Sequence, residues 1–321
     1  MSFLRLRNIS KRFDGDTLAL NGLTLELPKG QLLGLIGESG SGKSTLLRVA
    51  AGLETQDTGE VFLGDMAILN PSQKLVAGYD QIQLVHQQFN LYPHSTVEEN
   101  IRRPLLLYDK SYAQDRTEYL LEAFSLGSMR KRLPRELSGG QQQKVAIAKA
   151  LSVEPEVLLF DEPFSHLDPL QKRQLLEEVR DALNELQITG IWVTHDLNDA
   201  LMLTSQVGVL HTGTLVQYGA AEELLKQPQS RYVAELFSPL NPLPGSQDLF
   251  LRPMAIHFSQ ASEGIKGRVK SCRFLPFFNQ LTVSLEDVAL DWTVFDNGRG
   301  FREGDQVYLK FSGEDVMSLP K

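Results

Sequence analysis

Apolar and polar positions along this 321-residue chain change period several times, and each change predicts an element or a boundary. Phe3 to Ile9 and Leu23 to Leu27 alternate with a period of two, which predicts half-exposed strands. Leu32-Leu33-Gly34-Leu35-Ile36 is instead a short continuous apolar strand running into a glycine-rich turn, after which Leu46, Leu47, Val49 and Ala50 recur at helical spacing. Gly59 to Gly64 and Ile82 to Gln87 predict two further strands. Helical spacing returns at Tyr112, Tyr119, Leu120, Ala123 and Phe124, in a block that ends at Pro134, and a long helix is expected from Ser138 through Leu151. Val157 to Phe160 is apolar at every position, as suits a central parallel strand buried on both faces. An amphipathic helix should follow the turn Ser165 to Pro169 and reach Leu186, and Ile191-Trp192-Val193-Thr194-His195 then repeats the buried-strand pattern.

Ser238-Pro239-Leu240-Asn241-Pro242-Leu243-Pro244-Gly245 breaks the preceding helical pattern and predicts a domain boundary. Beyond it the period is two again. Val269 to Arg273, Leu281 to Leu285, Leu290 to Val294 and Val307 to Phe311 are separated by Gly or Asp-Asn-Gly signals, which reads as a small antiparallel barrel. The expectation is an α/β domain over residues 1–238 and a β-barrel domain over 239–321.

Composition narrows the classes. The length fits two domains, and 42% apolar residues suffice for two cores. A net charge of −8 argues against nucleic acid as the main partner, although an acidic average leaves room for a local basic patch. Cys272 is the only cysteine, so no internal disulfide and no cysteine metal cluster can form, and a reducing compartment is expected. No apolar run approaches the roughly twenty residues that span a bilayer, and Met1 to Arg5 lacks a signal-peptide core. The expected setting is cytosolic unless another chain holds this one at a membrane.

The chemistry begins at Gly37-Glu38-Ser39-Gly40-Ser41-Gly42-Lys43-Ser44-Thr45, which has the spacing of a phosphate-cradling P-loop. Gly37, Gly40 and Gly42 let the backbone turn so that successive N–H groups point at phosphates, Lys43 adds a mobile charge, and the Ser44 hydroxyl is the expected Mg²⁺ ligand. Glycine-rich turns also occur where nothing binds, but here the preceding strand and the following helix agree with the motif. Phe13, beside a turn in Lys11-Arg12-Phe13-Asp14-Gly15, either stacks on an adenine ring or packs a hairpin. Gln87 ends a strand, where ligands bind in α/β sheets, and its amide can coordinate a metal; an ordinary polar loop residue is the plainer reading. Ser138-Gly139-Gly140-Gln141 opens a helix with a capping serine and bare N–H groups, a second place suited to an anion. Asp161 and Glu162 close the buried strand, the first able to hold Mg²⁺ and the second to take a proton from an attacking water. His195 closes the next one.

In this order, from Leu4 to Phe237, the segments resemble the ATP-binding subunit of ATP-binding-cassette transporters. The resemblance implies a P-loop NTPase cassette with a mostly parallel core sheet, an antiparallel β subdomain and a helical subdomain near residues 88–137. It implies that ATP and Mg²⁺ are held by Phe13 and residues 37–45, with Ser44, Gln87 and Asp161 at the metal. Glu162 becomes the catalytic base and His195 the switch histidine, with Lys43 and Gln87 completing the catalytic set, while Asp168 communicates across a dimer. Ser138, Gly140 and Gln141 would close over the nucleotide of a second, head-to-tail copy. Lys144 and Lys149 stand where arginines are commoner, and His166 where a small residue is; these departures touch tuning rather than activity.

Phe250-Leu251-Arg252-Pro253-Met254-Ala255-Ile256 resembles the start of the regulatory barrel of importer ATPases for sugars, polyamines, sulfate, molybdate and ferric iron. Small barrels also bind oligonucleotides, but Phe274, Phe277 and Phe278 read more simply as core or dimer contacts. The implied function is ATP-driven solute uptake, with membrane permease partners docking around Gln87 to His94 and the helical block, and indirectly a solute-binding protein. The chain would then be peripheral to the cytoplasmic face of the inner or plasma membrane. Asp161-Glu162-Pro163-Phe164-Ser165 and the short barrel lean toward ferric iron or polyamine as solute. The alternative is a soluble cassette ATPase acting on ribosomes or nucleic acid; such relatives carry two cassettes or a long coiled coil, and this chain has neither.

Overall fold

The computed structural model describes residues 2–13, 17–165, 167–260 and 264–319. Asp14, Gly15 and His166 lie outside the described residues. The chain forms two compact units, Met1–Ala221 and Glu222–Lys321.

The first unit is built on a six-stranded sheet in the order Thr214–Ala220, Gln206–His211, Leu32–Ile36, Thr189–Thr194, Val157–Asp161, Ile82–Val85. All neighbours are parallel except the first pair. Alternation along a strand sends successive side chains to opposite faces, and both faces here are covered. Val157 and Leu159 join one core with Leu33, Leu35, Ile191, Val193, Leu46 and Leu47, whereas Leu158 and Phe160 join a second with Trp192, Val145 and Leu176. That double burial is why the run is apolar throughout.

The first core is closed by an antiparallel sheet ordered Thr17–Pro28, Ser2–Phe13, Thr58–Leu63, Met66–Ala67. Its period-two strands place Leu4 and Leu6 opposite Leu27 and Leu25 on one side and opposite Leu63 and Val61 on the other. The second core holds the helices Val97–Arg102, Lys110–Ala123, Gly139–Leu151 and Pro169–Glu185. Asp168 caps the last of these, accepting from Leu170 and Gln171 N–H, and Pro169 fills the first helical position, where a missing N–H costs nothing. Its buried stripe is Leu175, Leu176, Val179 and Leu183. The Ile82–Val85 strand stops before His86, so Gln87 stands in the loop beyond it.

The second unit carries the five-stranded antiparallel sheet His257–Phe258, Gln306–Lys310, Ile265–Leu275, Phe278–Leu285, Asp291–Asp296. It curls about Trp292, Val283, Leu281, Val269 and Leu309, as a small barrel domain requires. Trp292 donates its indole N–H to the Pro242 carbonyl at 2.9 Å, and Asn241 exchanges two hydrogen bonds with the Thr293 backbone. The helices Ala221–Lys226 and Arg231–Phe237 group largely with this unit. Arg252 donates to the carbonyls of Leu225 and Ala234, and Ala234 packs with Phe250 and Leu319. Phe274 and Phe277 are exposed at 80% and 90%, so they are not core, while the Phe278 ring packs against Phe295 at 4.3 Å, tilted by 35°.

Candidate active site

Strand order decides what meets what. Leu32–Ile36, Thr189–Thr194 and Val157–Asp161 are adjacent and parallel, with Ile36 opposite Thr194 and Asp161 opposite Val193. Their carboxyl ends therefore deliver the loop from Gly37, His195, and the Asp161-Glu162 pair to one edge of the sheet, the edge where open α/β sheets bind ligands.

The loop is shaped by close approach. A side chain on Gly42, at φ +104°, would collide with the Ala19 carbonyl, and one on Gly37 with the Leu210 carbonyl. The helix Lys43–Ala50 begins directly after Gly42 with no side-chain cap, which leaves its first N–H groups to whatever occupies the loop. Lys43 is 5% exposed and folds back, donating to the carbonyls of Gly37 and Glu38 at 2.7 Å each. Burial pushes its ammonium below the ordinary lysine value of 10.5, against the pull of Glu162, Asp161 and Glu38. Such a lysine is a charge already stripped of water and aimed into the loop.

Ser44 Oγ donates to Asp161 Oδ1 at 2.8 Å, which joins the two residues that the sequence assigns to a cation. Among the described residues no three His, Cys, Asp or Glu side chains gather into a metal cluster. A cation here would rest on a hydroxyl, a carboxylate, an amide oxygen and its own remaining ligands, a hard oxygen set that fits Mg²⁺. Gln87 reaches the site through Ser165: its amide nitrogen donates to Ser165 Oγ at 3.1 Å, and that hydroxyl donates to the Glu162 carbonyl at 3.2 Å.

Glu162 has φ +45°, a left-handed conformation that is uncommon outside glycine and costs about 1–3 kcal/mol. The turn is held by its N–H, which donates to the Val193 carbonyl at 3.1 Å. It brings Glu162 Oε2 to 3.1 Å from His195 Nδ1. A carboxylate fixed by a histidine, beside a hydroxyl–carboxylate pair and a buried lysine, has the parts of a general base facing an anion site. His86, in the adjoining loop, is held below 6.5 by burial, which outweighs the attraction of Asp161.

Phe13 ends the strand Ser2–Phe13 opposite Thr17, with its ring 42% exposed and Lys11 Nζ 5.0 Å from its centroid. The partner strand passes the loop where Ala19 and Leu20 flank Gly42. The ring is therefore not a buried hairpin contact.

Ser138, Gly140 and Gln141 are not gathered into this cluster. Ser138 caps the helix Gly139–Leu151 in a reciprocal box, its N–H donating to Gln141 Oε1 at 3.0 Å and its Oγ accepting from Gln141 N–H at 3.4 Å. They line a separate cleft of about 110 Å³ with Lys144, Gln171 and Glu178, and none of residues 37–45 lines it. Lys144 pairs there with Glu178 at 2.5 Å. In the sequence Ser165 stands out only within the run from Asp161 and the turn to Pro169; its polar place between the acidic pair and the Asp168 cap is the available signal. His86 carried none.

The ABC transporter family matches residues 20–165. The chain is 39% identical over 244 residues to the sulfate/thiosulfate import ATP-binding protein CysA 1 of Shewanella oneidensis, covering 74% of this chain and 64% of that one. It is 34% identical over 275 residues to the Fe(3+) ions import ATP-binding protein FbpC of Escherichia coli, covering 83% and 78%. A dimeric ATP-binding cassette in a post-hydrolysis state bound to ADP and Pi superposes with a TM-score of 0.59 at 29% identity, over 68% of this chain and 98% of the other. With the loop, the acidic pair and the histidine assembled on one sheet edge and 34–39% identity to such subunits over the aligned residues, the chain belongs to the ABC transporter family.

Proposed function

We propose that this chain is the ATP-hydrolysing, energy-coupling subunit of an import complex, working as a pair that encloses two ATP molecules. The observation that carries the reading is the 3.1 Å contact between Glu162 and His195 beside the Ser44–Asp161 pair. Residues 37–45 bind the phosphates through backbone N–H groups and the Lys43 ammonium, and Phe13 offers its ring to the base. Ser44, Asp161 and Gln87 would hold Mg²⁺, which would supply neutralisation of phosphate charge. Glu162 takes the proton of the attacking water, and His195 keeps its carboxylate in one orientation.

Ser138, Gly140 and Gln141 act on the nucleotide of the second copy, which accounts for their separate cleft; the dimeric relative supports this pairing. Motion of the pair passes to membrane permeases through the loop after Gln87 and the helical block, with a solute-binding protein supplying cargo. Those permeases would hold the chain peripherally at the cytoplasmic face. Among the described residues no helix is long and apolar enough to cross a membrane. Relatives named for an oxyanion and for a metal cation support the view that solute choice lies outside this chain. They favour transport over a soluble cassette acting on ribosomes or nucleic acid.

Glu162→Gln should retain ATP binding, lower turnover by about 10²–10⁴-fold and accumulate a nucleotide-bound dimer on size-exclusion chromatography. Normal turnover in that variant removes Glu162 from the role.

A further inference from the structure

Lys149 lies in the last turn of the helix Gly139–Leu151, whose first turn is the Ser138–Gln141 segment. Its ammonium donates to the Asn90 carbonyl at 2.8 Å and stands 4.5 Å from the centroid of the Tyr92 ring. The Arg103 guanidinium stands 4.0 Å from the same centroid, so one ring serves two cations. The Tyr92 backbone is fixed as well: its N–H donates to Asn100 Oδ1 at 2.8 Å and its carbonyl accepts from Asn100 Nδ2 at 3.2 Å. Asn90 takes a left-handed φ of +46°, which turns the chain between Gln87 and Tyr92. That short stretch is thus tied to Ser165 at its start and to Lys149 and Asn100 at its end.

Burial, with Arg103 adding to it, lowers the Lys149 ammonium below the ordinary 10.5. A cation kept in such surroundings depends on the carbonyl and the ring that receive it. We infer that Lys149 is a positioning residue for Gln87: by gripping the Asn90 carbonyl from the helix that begins at Ser138, it sets where the Gln87 amide stands. The helix and the loop then move as one piece. This rests on the reading of Gln87 as a magnesium ligand. A single carbonyl is a point target that needs no planar fork, so a lysine serves here, and either cation can make the bond.

The test measures Mn²⁺, as a stand-in for Mg²⁺, binding to the full chain saturated with a non-hydrolysable ATP analogue, by electron paramagnetic resonance, with thermal unfolding of each variant alongside. Gln87→Ala weakens Mn²⁺ binding. Lys149→Met weakens it by about three- to tenfold, the loss of one charge-assisted hydrogen bond transmitted in part, and Lys149→Arg restores it. Gln87→Ala/Lys149→Met is no weaker than Gln87→Ala alone. Tyr92→Leu, which takes the ring from beside Lys149, shifts binding in the same direction and carries the test should Lys149→Met not fold. A folded Lys149→Met or Tyr92→Leu chain with unchanged Mn²⁺ affinity, while Gln87→Ala is weakened, overturns the inference alone, as does additivity in the double variant. Unchanged binding in Gln87→Ala removes the magnesium-ligand reading and the inference with it.

Discussion

Gln143 is fully buried in the helix Gly139–Leu151, and neither its amide nitrogen nor its amide oxygen has a hydrogen-bond partner among the described residues. Two unsatisfied buried polar atoms cost more than an apolar side chain of similar size, so Gln143→Leu should raise unfolding stability by about 1–3 kcal/mol in urea titration; a loss of stability would mean that the amide is paired. His86 argues for a pH effect. Its folded value lies below 6.5, so the unfolded chain takes up the proton more readily. The stability it contributes is present above pH 6.5 and is lost as pH falls below it. Stability followed from pH 8 to 5, about the range of histidine titration, should fall less steeply in His86→Gln than in the parent. At this scale the sequence reveals types and positions but not encounters. Glu162 and His195 are each legible as polar residues closing an apolar strand, yet their 3.1 Å contact depends on neighbouring strands and on a left-handed Glu162, neither of which has a local signal.

Elements were legible where burial leaves a period. Val157–Asp161 and Thr189–Thr194 read as central strands because both faces are covered, and Ser138–Gln141 announced its helix through capping chemistry. The helix Val97–Arg102 escaped because six residues are too short for a helical period. Thr96 and Glu99 form a reciprocal capping box around its first turn, the pattern that would have found it. The hairpin Gln206–His211 and Thr214–Ala220 was likewise not anticipated, although Thr212-Gly213 marks its turn with two positive φ values. Asn100 ties the short helix to the loop before it, bonding the backbone of Tyr92, Ser95 and Thr96. Asn100→Ala removes the partner of those part-buried groups and should cost about 1–3 kcal/mol, with hydrogen exchange rising across residues 87–102 before the rest of the unit.

On the scale of the molecule, a helical segment intervenes between the cassette sheet and the proline-rich stretch. The compact units part at Ala221 and Glu222, whereas the change of sequence period falls at 238–245, because Arg252 and Phe250 bind the intervening helices to the second unit. Such a grouping is set by contacts across 18 and 27 residues, which a period cannot register. The separation of Ser138–Gln141 from the P-loop leads to a complementation experiment. Lys43→Ala and Ser138→Arg chains, each inactive, should regain about a quarter to a half of normal ATPase activity when mixed, since one composite site survives in a mixed pair. Activity no greater than that of either parent would speak against shared sites. The folded-back Lys43 has a consequence of its own. Its ammonium is already hydrogen-bonded to the loop's own carbonyls, so an anion that recruits it competes with two oxygens at 2.7 Å. Charge-assisted bonds to an ionised oxygen are roughly twice as strong as neutral ones, so the exchange favours groups that crowd several charged oxygens together.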